Sequence, residues 1–190
     1  MSEEEKVEVI QRVPLWIAVA ITVLISLPFG IYLGDYNLAL WACFIAWAEY
    51  FALGAKASAL KPIWVMFPLG ALTMALFATF AALFPLGDPV VTVAVWIFIW
   101  VAIAVFIMRF HPLFQQGNLP YFNGLSMYLA LYFGLYAHGA ASGAGQGPLT
   151  GNPLADAWIL WIWASLAGIF GGFLGWLNVQ LTFPKVVKKT

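Results

Sequence analysis

The chain predicts an all-α integral membrane protein of six transmembrane helices, with both termini in the cytoplasm. Three observations predict it. Of its 190 residues, 64% are hydrophobic and 8% are charged, and the mean hydropathy is +0.93, far from the composition of soluble domains. Six apolar segments follow one another, each near the ~20 residues that cross ~30 Å of hydrocarbon. All eight Lys and Arg residues fall on one side of a six-helix arrangement, as the positive-inside rule requires of cytoplasmic loops.

In order, residues 1–12 read as an acidic cytoplasmic lead, MSEEEKVEVIQR. The apolar segment behind it is too long for the core of a cleavable signal. The transmembrane domain is expected over 13–181. Its first span covers about 13–33, with Pro14 at a first-turn position and Pro28 as a kink. Gly34-Asp35-Tyr36-Asn37 turns the chain into a second span at about 38–55. The third, about 62–84, carries Pro68 and Gly70 in its first half, and Pro85-Leu86-Gly87-Asp88-Pro89 is a strong turn. The fourth, about 90–110, is β-branched and aromatic without Gly or Pro, which suits a lipid-facing helix. The fifth covers about 121–141, a Gly- and Pro-rich loop follows at 142–155, and the sixth covers about 158–181. Residues 182–190 form a basic cytoplasmic tail.

The charges set the orientation. Lys6, Arg12, Lys56, Lys61, Arg109, Lys185, Lys188 and Lys189 share one side, while Asp35, Asp88 and Asp156 stand one to a loop on the other. Five or seven helices would break that segregation. Six helices also raise the reading of two inverted halves of three. Tyr50-Phe51-x-Leu53-x-Ala55 at the end of the second span matches Tyr132-Phe133-x-Leu135-x-Ala137 in the fifth.

Glu49 is the one acidic residue placed inside an apolar span. At helical spacing it shares a narrow face with Ala39, Ala42, Ala46 and Ala52, so that face is expected to point into the bundle. An intramembrane carboxyl is a functional-site candidate by default. The bland alternative is a structural hydrogen bond to a hydroxyl such as Thr73, Thr79 or a tyrosine. Tyr128 and Tyr132 sit too deep in the fifth span to be interfacial anchors and need polar partners. They join Glu49 and His138 as candidates for a polar pathway.

Gly168, Gly171, Gly172 and Gly175 make small-x-x-x-small spacings in the last span, and Gly134 belongs to a similar stripe in the fifth. Such stripes let helices approach closely. They suit tight packing in one bundle, or a homo-oligomer interface.

Other chemistries find no footing. His111 and His138 are separated by a mostly helical path of about 40 Å and cannot share a metal or haem. Cys43 is the lone cysteine. No metal site, cofactor, catalytic residue or nucleic-acid partner is expected, and the chain is read as a non-enzyme.

Two stretches resemble a known family. Trp41-x2-Phe44-x2-Trp47-Ala48-x-Tyr50-Phe51-Ala52-x-Gly54 and Leu166-Ala167-Gly168-x2-Gly171-Gly172-x-Leu174-Gly175 are similar to the signature and final glycine-rich helices of small bacterial inner-membrane proteins, domain-of-unknown-function family 1097. The resemblance covers about a fifth of the chain. It implies a multi-pass bundle in the bacterial inner membrane and no particular substrate. Two functions are expected from the residues. One is a small-solute channel or secondary transporter, proton-linked through Glu49. The alternative is a non-transporting subunit or scaffold of a larger membrane complex.

Overall fold

A computed structural model describes residues 7–138 and 145–188, with side chains over 12–134 and 145–183. Seven helices lie among these residues: α1 (Leu15–Ile31), α2 (Leu40–Ala52), α3 (Leu60–Leu83), α4 (Pro89–Ile107), α5 (Pro112–Gln116), α6 (Asn118–His138) and α7 (Pro153–Thr182). Two short strands, β1 (Val7–Gln11) and β2 (Pro184–Lys188), pair antiparallel with Val9 opposite Val186. The start of α1 and the end of α7 therefore share one end of the bundle, the ribbon end.

Local chemistry explains where the helices begin and stop. Asp88 accepts from Val90 N and Val91 N at 2.8 and 3.0 Å with Pro89 behind it, a capped start for α4. Asn152 caps α7 through Leu154 N and Ala155 N. The second and last spans depart most from expectation: α7 already begins at Pro153, ahead of the expected 158, and takes Asp156 out of its loop into the first helical turn, while the second span is trimmed at both ends. Asn37 folds back to accept from Leu33 N at 2.8 Å and holds 34–36 in a 3-10 turn. At the other end Gly54 takes a φ of 95°, which stops the helix. What remains is 13 residues, about 20 Å. Residues 57–83, 89–110 and 153–182 are long and apolar enough to cross a membrane, and α1 is a shorter apolar helix.

The core is two parallel helix pairs crossed on each other. Gly171 abuts the Cys43 carbonyl and Gly175 abuts Tyr50, so α2 and α7 run the same way. Gly70 abuts the Tyr121 carbonyl and Gly117 abuts Met66, so α3 and α6 do too. The pairs meet where Gly168 faces the Phe67 ring and α3 and α7 run antiparallel. Two indoles tie that crossing, Trp64 Nε1 to Ile169 O and Trp161 Nε1 to Pro68 O, both at 3.0 Å. On the flanks, α1 leans on α7, where Asn178 Nδ2 donates to Thr22 Oγ1 at 3.4 Å. On the opposite flank α4 leans on α3 through Trp96, tilted against the Phe80 ring, and Trp100, edge-on to it. Only Thr92 and Ala104 of α4 are buried.

Candidate functional site

Glu49 is placed where α2 and α6 meet. It is 3% exposed, and Asn123 Nδ2 donates a hydrogen bond to its Oε1. Its Oε2 is buried with no hydrogen-bond partner among the described residues. A buried carboxyl oxygen left unpaired is costly, so the position is not explained by packing. The expected hydroxyl partners are otherwise engaged: Thr79 Oγ1 donates to Ala75 O, and Thr73 Oγ1 bonds Leu69 O and Tyr121 Oη. Because α2 stops at Ala52, Glu49 lies three residues from its end, about 5 Å along the axis. The carboxyl is therefore nearer the end of its helix than a helix reaching residue 55 would make it.

The tyrosines do not join Glu49. Tyr121 is 1% exposed, with its hydroxyl 2.6 Å from Thr73 Oγ1, so it is a core residue and no interfacial anchor. Tyr128 is fully buried and donates to Ala157 O at 3.0 Å. Tyr132 stacks on Tyr128 at 6.2 Å and meets Phe77 edge-on. These three face α3 and α7. Tyr132 also lines a cleft of about 580 Å³ between the α3–α4 turn, α6 and Pro153. The side chains of Tyr136 and His138 lie outside the described residues. His111 is exposed, and its Nδ1 accepts from Leu113 N at the start of α5.

The glycines divide sharply. Gly171 and Gly175 pack on α2, Gly168 on the Phe67 ring, and Gly172 against Trp64, whose Nε1 a Cβ at that position would approach to 2.9 Å. At Gly134 an added Cβ would come no closer than 3.8 Å to a described neighbour, Gln146 Nε2, and Ala130 on its stripe is exposed. The fifth-span stripe thus makes no tight crossing among the described residues, whereas Gly70 and Gly124 of the other pair do.

Three polar residues went unnoticed in the sequence. Asn123 carries the one signal available, an amide in the second turn of an apolar helix. Asp156 reads as a loop charge, yet it is 6% exposed and accepts from Thr150 N, Thr150 Oγ1 and Gly151 N at 2.7, 2.8 and 3.0 Å. It fastens the loop before α7. Gln146 on that loop is also 6% exposed, although its Gly-rich surroundings suggest a solvated linker. Among the described residues no three His, Cys, Asp or Glu side chains gather as a metal site would need.

No curated protein and no solved structure matches the chain. A family model does, described as a protein of unknown function (DUF1097), over residues 16–182. That match takes in every helix from α1 to α7, and the chain belongs to the DUF1097 family.

Proposed function

We propose that the chain is a six-span protein of the bacterial inner membrane, with both termini cytoplasmic, that passes a small solute in a proton-linked manner. One observation carries this reading: Glu49 sits buried between two helices with one carboxyl oxygen held by Asn123 and the other unpartnered. A group that exchanges protons or meets a passing solute needs such a free oxygen, and a purely structural carboxyl does not. The reading is non-enzymatic.

The fold adds support for two inverted halves, α1–α3 and α4–α7. Gly70 on the Tyr121 carbonyl mirrors Gly171 on the Cys43 carbonyl, and the Trp64 and Trp161 bonds cross reciprocally. In that equivalence Cys43 matches Tyr121, so Tyr50 matches Tyr128, one turn from the Tyr132 alignment suggested by sequence. Such halves place solute sites between them and open alternately to each side. The second reading, a membrane-complex subunit or a homo-oligomer, is favoured by α4, whose outer face stays bare.

The orientation has a direct test. Cys43 is buried, so wild type is a blank for impermeant thiol reagents. Asp35→Cys and Asp88→Cys, both exposed, are expected to label from outside intact cells, and Lys61→Cys is not. Labelling at position 61 reverses the topology.

For transport, the purified protein is reconstituted into liposomes holding a trapped pH dye. Small cations, anions and neutral solutes are then added across a pH gradient. Proton movement with at least one of them, above protein-free liposomes, is the expected result. Equality with protein-free liposomes for all of them leaves the subunit reading.

A further inference from the structure

The seam that holds Glu49 carries a second buried polar group at its far end. Gln146 Nε2 donates to Leu131 O on α6 at 3.2 Å, and its Oε1 is buried with no partner among the described residues. The preceding residue, Gly145, lies directly against the backbone of Ala39 at the start of α2. The loop therefore bridges α2 and α6 at the end opposite Asn123. On α6, Asn123, Met127 and Leu131 recur every four residues and form one stripe. Asn123 holds Glu49, the Leu131 carbonyl holds Gln146, and the two positions lie about 12 Å apart along the helix axis. Met127, 9% exposed, is the residue midway.

The chemistry of the two ends agrees. Both unpartnered atoms are oxygens that accept hydrogen bonds, the amide oxygen of Gln146 and the carboxyl Oε2 of Glu49. Neither α2 nor α6 contains a Lys or Arg, so an anion in the seam finds no counter-charge. A small cation rich in N–H donors finds an acceptor at each end. An apolar residue between two polar stations closes such a path by excluding water.

We propose that the α2–α6 seam is a route for small donor-bearing cations, with Gln146 its outer station, Glu49 its inner station and Met127 its apolar closure. This rests on the transport reading and assigns it a solute class and an outer residue. A purely mechanical role, Gln146 as a latch for its loop, predicts lost stability and no change in selectivity.

The test uses the full chain in proteoliposomes with three probes: guanidinium, tetramethylammonium, which lacks N–H donors, and nitrate. Wild type is expected to pass guanidinium and to exclude the other two. Gln146→Leu, at unchanged melting temperature, should cut guanidinium flux about tenfold or more, the scale of a lost hydrogen bond to a charged group. Met127→Ala should raise guanidinium leak and admit tetramethylammonium. If Gln146→Leu does not fold, the Met127→Ala arm decides alone. Wild-type flux of nitrate equal to guanidinium, or wild-type selectivity in Met127→Ala, overturns the route while leaving transport standing. So does unaltered guanidinium flux in folded Gln146→Leu. No flux of any solute overturns both.

Discussion

Gly70→Ala and Gly171→Ala are each expected to leave little folded protein. A Cβ at Gly70 would overlap the carbonyl oxygen of Tyr121, and one at Gly171 the carbonyl oxygen of Cys43. In both cases the obstacle is backbone inside a helix, which cannot turn aside as a side chain can. The helices must part, and each parting opens one of the two parallel pairs that build the core. Overpacking a dense interior costs about 1–3 kcal/mol where side chains absorb the strain, so about 3 kcal/mol or more is expected here. Against a stability of roughly 5–15 kcal/mol that is enough to cut yield and melting temperature in detergent. Gly172→Ala is the control. A Cβ there would come within 2.9 Å of the edge of the Trp64 indole, a 40% exposed side chain that can move by a few tenths of an ångström by lengthening its bond to Ile169 O. Its melting temperature is expected within a few degrees of wild type. A Gly70→Ala protein as stable and monodisperse as Gly172→Ala would show that the α3–α6 crossing is looser than described.

These glycines also show which parts of the molecule the sequence could reveal. Small-residue spacing identifies α7 as a packing helix, because side-chain size is a local property. It does not tell Gly171 from Gly172, since only the direction of the neighbouring helix separates a carbonyl from an indole edge. The same divide runs through the candidate site. Glu49 stands out because a carboxyl in an apolar run is anomalous by itself. Asn123 is 74 residues away, and no local pattern links the two. Gln146 is the harder case: glycines on both sides signal a flexible loop, and only Asp156 folding back onto Thr150 and Gly151 turns that loop into a fixed wedge. The helix boundaries are close to those read from Pro and Gly punctuation except in α2, where Asn37 and Gly54 each trim the span, and at the start of α7, where Asn152 and Pro153 begin the helix ahead of the expected 158. The ribbon of β1 and β2 escapes reading because its five-residue halves lie at opposite ends of the chain. Charge marks them as an acidic lead and a basic tail, and the β-branched Val and Ile of Val7–Gln11 and the Val pair of Pro184–Lys188 are the signal that points to strands.

Substitution of Glu49 is expected to separate structure from function. Glu49→Gln keeps the shape of the side chain and leaves an oxygen for Asn123 Nδ2 to donate to. The fold should therefore persist, with stability within about 1 kcal/mol of wild type. What Gln removes is ionisation, so proton-linked flux should lose its dependence on pH while any uncoupled leak remains. Glu49→Leu removes the acceptor as well and strands the Asn123 amide in an apolar seam, at a cost of about 1–3 kcal/mol. Asn123→Leu does the reverse and leaves the whole Glu49 carboxyl buried without its one partner, which is the worse case because a carboxyl is costlier to strand than an amide. The double variant Glu49→Leu with Asn123→Leu strands neither group. It should be more stable than Asn123→Leu alone, with a coupling of about 0.5–3 kcal/mol in the cycle. Additive losses in that cycle would mean that the two side chains do not depend on each other. A Glu49→Gln protein whose flux follows pH as wild type does would remove proton coupling through Glu49, and would leave the seam as a passive path.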